Sequence, residues 1–178
     1  MDLLESILGA NDGKAVAEIA RKVGIPESMA KKGVAALAPA LQRGLQRNSR
    51  KQGGAEALLG ALKTGNHARY VDDPATLEKE DTIADGNKIL GHIFGNKDVS
   101  RNVAGQAAGS SGIDAGLLKK MLPLLGTVAM GALAKNTLGG SGGGSNLLGA
   151  LSGMLGGAGA DDGGSAADEI LDLAKKFF

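Results

Sequence analysis

Residues 115–135, AGLLKKMLPLLGTVAMGALAK, carry Lys119, Lys120 and Lys135 as their charged residues and are apolar or small on nearly every face. A helix that is apolar all round must be surrounded by protein or lipid. Its longest uncharged run, MLPLLGTVAMGALA, has 14 residues, short of the roughly 18–20 that cross a bilayer. The expectation is therefore a central core helix, capped by Asp114, with the rest of the chain wrapped around it. Leu117, Leu118, Met121, Leu122, Leu125, Val128 and Leu133 are its predicted core contacts.

The flanking sequence supplies amphipathic helices to do the wrapping. Leu4, Ile7 and Leu8 share a face, with Asp2 and Glu5 spaced as a capping box. Val16, Ile19, Ala20 and Val23 recur at helical spacing, and Gly24 follows as a stop. Pro26 suits the first position of the next helix. Ala30, Val34, Leu37, Leu41 and Leu45 form its stripe, which Pro39 is expected to kink or split. Leu58, Leu59 and Leu62 mark a short helix over 55–63. The polar stretch TGNHARYVDDPATLEKED lacks periodicity and reads as a loop with one helical turn near Pro74. Asp85 and Gly86 are expected to open a helix bearing Ile89, Leu90, Ile93 and Phe94, ended by Gly95. Asp98 is the expected cap of the next, with Val99, Val103 and Ala107 inward.

No alternating strand pattern accompanies turn signals, so the fold class is all-α. Two segments echo one another: VAEIARKVGIPESMAKKGVAALAPAL and VAGQAAGSSGIDAGLLKKMLPLL. Each has a helix, a Gly-Ile turn, a Lys-Lys pair and a Leu-rich helix containing proline. This predicts a compact multihelical bundle over residues 1–137, built on two similar helix-turn-helix-like units rather than a solenoid.

Beyond it the composition shifts. Residues 138–166 hold 12 of the 30 glycines. Residues 138–165 read as a flexible Gly/Ser/Leu-rich tail. Leu147, Leu148, Leu151, Met154 and Leu155 nevertheless keep a helical stripe within it. Residues 166–178 read as a terminal amphipathic helix with Ile170, Leu171, Ala174 and Phe177 on one face. Short, glycine-rich helices are marginal alone in water, so these stripes need a surface to dock on.

Several functions are poorly served by this chain. There is no cysteine, which removes disulfides and thiolate metal sites. The two histidines, His67 and His92, have no ligand partners at helical spacing. His92 reads as a helix-edge side chain bonded to a backbone carbonyl, and His67 as solvated. The acids Asp72, Asp73, Glu78, Glu80 and Asp81 fit a solvated loop. GGSGGGS lacks the Gly-Lys-Ser/Thr ending and the preceding strand of a phosphate loop. No enzyme, metal or cofactor is expected. MDLLESILGA has an acid where a signal peptide starts basic, so a cytoplasmic location is the default expectation.

Net charge is +1, but residues 1–70 carry 11 Lys/Arg against 6 Asp/Glu and residues 71–178 carry 9 against 13. Such asymmetry orients a molecule toward a partner or a second copy. AEIARKVGIPESMAKKGV has helix-turn-helix spacing. A DNA reader would use Lys31 and Lys32, with Arg43, Arg47, Arg50 and Lys51 on phosphates. Against that reading, the second helix continues as a core stripe and no aromatic residue accompanies the cations.

DGNKILGHIFGNKD, followed by GIDAGLLKKMLPLLGTVAMGALAK, resembles the bacterial domain-of-unknown-function family 937 and, more loosely, YidB-like proteins. The matching marks are Asp85-Gly86, Ile89-Leu90-Gly91-His92, Phe94-Gly95, Leu122-Pro123 and Met130-Gly131-Ala132-Leu133. The resemblance implies a multihelical bacterial domain and transfers no reaction, cofactor or site residue. The function expected is a non-catalytic interaction or self-association module, with a protein partner or a second copy bound through Leu147, Leu148, Leu151, Met154, Leu155, Ile170, Leu171 and Phe177. DNA binding is the main rival, and a carrier of a small apolar ligand is the third reading.

Overall fold

The computed structural model describes residues 2–138. Its helices are α1 (Leu3–Leu8), α2 (Lys14–Val23), α3 (Glu27–Ser49), α4 (Gly54–Thr64), α5 (Arg69–Asp72), α6 (Glu80–Phe94), α7 (Lys97–Ser111) and α8 (Ala115–Leu138), with a 3-10 turn at Pro74–Glu78. No strand occurs among the described residues. The interaction stripes expected at 147–155 and 166–178 lie outside them.

The helix α8 is the axis of the molecule. Every residue from Met121 to Ala134 is buried, and α1 through α7 all pack against α8. Ala115–Thr137 is in fact long and apolar enough to cross a membrane, but 83% of its most apolar window is buried within the protein. Its apolar surface is therefore already covered by the chain's own helices. The buried hydroxyls of Thr127 and Thr137 donate back to Leu124 and Leu133 carbonyls, each at 2.7 Å, which removes the cost of burying them unpaired. Leu117 is half-buried; the other predicted core residues of this helix are buried.

Proline does not divide either long helix. Both α3, with Pro39, and α8, with Pro123, run unbroken. A proline leaves the carbonyl four residues back without its donor. Those carbonyls belong to Ala35 and Lys119, both exposed, where water can serve them.

The sequence echo is a structural repeat. Helices α2 and α7 end at Gly24 and Gly112, with φ of +78° and +70°. This left-handed conformation is open to glycine at little cost and turns each chain into Ile25 or Ile113 and then a long helix. The repeat extends upstream, since α1 ends in Ile7-Leu8-Gly9 and α6 in Ile93-Phe94-Gly95. The two three-helix units interlock: α2 packs on α8 while α7 packs on α3, and α1 and α6 each touch both long helices. Gly33 and Met121, which hold the same position after their turn glycines, meet where α3 crosses α8. Equivalent positions of the two units thus lie against one another at this crossing.

Local details depart from expectation. Asp2 makes no side-chain cap bond; the short α1 is held instead by burial of Leu3 and Ile7. Pro26 precedes α3 rather than opening it. Asn96, not Asp98, caps α7, accepting from the Val99 N–H at 2.9 Å, and Asp98 pairs with Arg101 at 3.1 Å. The small residues Ala104 and Ala107 form the inner face of α7, with Val99 and Val103 half-buried. Helix α6 begins at Glu80, more than a turn before Asp85. Its acidic start suits the helix dipole, and Thr82 is buried with its hydroxyl on the Thr76 carbonyl at 2.7 Å.

Candidate interaction surface

The second three-helix unit carries an open groove of about 470 Å³ between α6, α7 and α8. Leu90, Leu122 and Pro123 form its apolar floor. Gly91 and Gly95, which have no side chains to fill it, keep it open on the α6 side. Asn87, Asn96 and Ser100 offer hydrogen bonds at its edge, and Lys97, Arg101 and Lys119 supply its charge.

Two of its three cations, Lys97 and Lys119, are available for an incoming group. Lys119 corresponds to Lys31 in the first unit. The Lys31 ammonium is paired with Glu27, one turn back, at 2.7 Å. The matching position before Lys119 is Ala115, so Lys119 lacks that partner. Neither Lys97 nor Lys119 forms an ion pair among the described residues, whereas Arg101 is held by Asp98 at 3.1 Å. The surface thus combines an apolar strip with positive charge, a combination suited to an amphipathic acidic segment.

A second cluster lies in the connector between the units. The stretch expected as a polar loop instead buries Tyr70, Val71, Pro74 and Leu77 against the bundle. Tyr70 is only 1% exposed. Its hydroxyl donates to Asp85 at 2.6 Å and accepts from Arg69 at 2.7 Å. The Arg69 guanidinium also lies over the Tyr70 ring, 4.7 Å from its centre. Burial, followed by the bond to Asp85, raises the Tyr70 pKa. The phenol therefore stays protonated and acts as a fixed donor. The network ties the connector to α6 and reads as a clamp.

His67 was expected in solvent and is buried instead, at 7% exposure. Two glycines make room for it: Gly65 stands against its ring, and Gly131 of α8 against its carbonyl. The ring stacks near Tyr70, with centroids 6.3 Å apart, and Nδ1 is buried with no hydrogen-bond partner among the described residues. Burial lowers its pKa, the Asp85 charge opposes this and the Arg69 charge adds to it. A depressed folded-state pKa means that the unfolded chain takes up the proton first. Stability from this group is complete above the unfolded value near 6.5 and is lost as pH falls through the folded value. Urea unfolding at pH 7.5 and pH 5.5 (two conditions on about either side of that value) is expected to show a smaller acid loss for His67→Gln than for the unmodified chain. Equal losses would contradict a buried, neutral His67.

The remaining sequence-selected residues fall as follows. His92 is exposed on α6, and no bond from its ring to a carbonyl occurs among the described residues. Ile89, Leu90 and Ile93 occupy the inward face and leave His92 outside. Asp72 pairs with Lys135 at 2.6 Å and Glu78 with Arg21 at 2.9 Å, while Asp73, Glu80 and Asp81 are exposed. No group of three His, Asp or Glu residues able to hold a metal occurs among the described residues. Lys31, Lys32, Arg43, Arg47, Arg50 and Lys51 are all exposed. Helical spacing sets Lys32, Arg43 and Arg47 along one outer face of α3, with Arg50 just past its end, and Lys31 is taken by Glu27.

Sequence reading missed the groove and the Arg69-Tyr70-Asp85 clamp. The only advance signal was the run of glycines and polar residues, Asn87, Gly91, Gly95, Asn96 and Lys97, on the side of this stretch away from its apolar stripe.

The chain matches no curated protein and no solved structure. A family model does match, over residues 3–136. That span takes in both three-helix units, the connector clamp and every residue of the groove. The chain therefore belongs to the family described as bacterial protein of unknown function (DUF937).

Proposed function

We propose that the protein is a non-catalytic interaction module whose docking surface is the groove between α6, α7 and α8. The observation that supports this most directly is Lys119, without an ion pair among the described residues, beside an apolar floor. Apolar side chains entering such a groove contribute roughly 1.5–3 kcal/mol each when fully buried. Cations at its edge act mainly on orientation, partner choice and encounter rate. A wholly apolar small ligand is less suited, because three cationic residues line the open wall.

The test uses the full chain and a labelled synthetic peptide with a leucine stripe on one helical face and glutamates on the other. Fluorescence anisotropy is expected to show binding that weakens at least about tenfold, the scale of one lost close charge pair, in Lys97→Glu/Arg101→Glu/Lys119→Glu. These side chains are exposed, so circular dichroism should be unchanged. Binding indifferent to the triple reversal would overturn the reading.

A second reading, duplex DNA binding, is favoured by the exposed row Lys32, Arg43 and Arg47 on α3, with Arg50 just past its end. Phosphate contacts would give a log–log salt slope of about −0.9 for each phosphate neutralised. A steep slope that Arg43→Gln/Arg47→Gln flattens would support it over the groove.

A further inference from the structure

The described body and the rest of the chain are oppositely charged. Residues 1–138 carry 18 Lys/Arg against 14 Asp/Glu, and residues 139–178 carry 2 against 5. Three of those acids, Asp168, Glu169 and Asp172, lie in the terminal segment AADEILDLAKKFF, whose apolar residues recur at helical spacing. This segment, which also holds Lys175 and Lys176 at its far end, has the composition that the groove selects: an apolar stripe to lie along the narrow exposed edges of Leu90, Leu122 and Pro123, and carboxylates at its start to meet Lys97 and Lys119.

The connection has a suitable length. The groove lies toward the start of α8, so the chain leaving Leu138 must return past the length of that helix. From Leu138 to Pro123 the helical rise is about 22 Å, and to Lys119 about 28 Å. Residues 139–165 number 27, and a glycine-rich chain of that length has an r.m.s. span of about 26–31 Å. A linker matched to its span gives an effective concentration in the millimolar range. At lower protein concentrations the segment therefore meets its own groove before it meets another molecule's.

We infer that residues 166–178 are the built-in occupant of the groove, docking back on the same molecule as a competitor for outside partners. The inference rests on the groove being a docking surface. It makes the protein self-masking: a partner gains access only by displacing the terminal segment, and the apparent affinity falls by the fraction of molecules that are closed.

The chain has no cysteine, so engineered pairs report cleanly. In full-length protein, Ser100→Cys with Ala167→Cys places one thiol in the groove and one on the terminal segment. Lys63→Cys with Ala167→Cys is the control, since Lys63 is exposed on α4 and contributes nothing to the groove. Under mild oxidation the groove pair is expected to close within a monomer at least about tenfold faster than the control, an effect of local concentration. Equal rates overturn the inference. A groove pair that closes between two molecules overturns the same-molecule arrangement and assigns the segment to a second copy. The peptide probe separates this inference from the reading beneath it. Asp168→Asn/Glu169→Gln/Asp172→Asn, which removes the carboxylates without adding cations that would attract the acidic probe, should bind the probe at least about tenfold more tightly than the unmodified chain. Equal binding by both chains leaves the groove a docking surface and removes its built-in occupant. Failure of both chains to bind the probe, with equal cross-linking rates, removes both.

Discussion

Leu125→Ala is expected to lower the free energy of unfolding by about 2–5 kcal/mol. Leu125 is 0% exposed and sits midway along α8, the helix against which all the others pack. Removing its outer methyls forfeits their transfer free energy. It also leaves a cavity that two long helices crossing at a fixed angle cannot easily close. The upper part of the range applies if the site stays rigid, the lower part if neighbouring leucines shift into the space. Ile83→Ala is the internal comparison. Ile83 is 38% exposed on α6, so its loss should cost well under half as much. Urea or thermal unfolding of the three proteins checks both values. A cost below about 1 kcal/mol for Leu125→Ala, outside the range for buried leucines, would mean that α8 is not the packed axis of the fold.

The second large effect separates two glycines that look alike in the sequence. Gly86 on α6 lies against the Pro123 carbonyl of α8, and the next two nearest atoms are Pro123 backbone as well. A Cβ there would force two helix backbones apart. Gly86→Ala is therefore expected to cost about 1–3 kcal/mol or more from overpacking, only partly offset by the roughly 1 kcal/mol that alanine gains in a helix. Gly33 on α3 also faces α8, but its nearest neighbours are the Met121 Cε and Sδ, at 2.6 and 2.8 Å. That thioether is unbranched and can swing aside. Gly33→Ala should remain within about 1 kcal/mol of the unmodified protein, because the helix gain and the rearrangement nearly cancel. Since Pro123 also lines the groove, Gly86→Ala should weaken peptide binding while Gly33→Ala leaves it intact. The reverse order in unfolding measurements would show that the α6–α8 contact yields more easily than the Met121 side chain.

Periodicity alone determined much of the fold. The unrelieved apolarity of residues 121–134 required a central helix, since no face of it could be left in water. The stripe from Ala30 to Leu45 placed the buried side of α3, and the paired Gly-Ile turns showed that two units repeat. These signals are local or regularly spaced, so each can be read without knowing which elements meet. What the tertiary structure decided has no such spacing. His67 and Tyr70 belong to a stretch of short helical pieces with no stripe, and they are buried because α8 offers Gly131 where the connector crosses it. Asp85 looked like a helix start and is instead the acceptor for Tyr70, a contact made across fifteen residues of chain. Lys97, Arg101 and Lys119 come from two helices, and nothing in their spacing joins them in the sequence. They form one surface only because α7 and α8 pack side by side over the glycines of α6, and because Ala115 stands where Glu27 neutralises the matching lysine of the first unit. Side-chain pattern specified which faces are buried. Which buried faces meet, and hence which exposed charges become neighbours, followed from the packing of one repeat against the other.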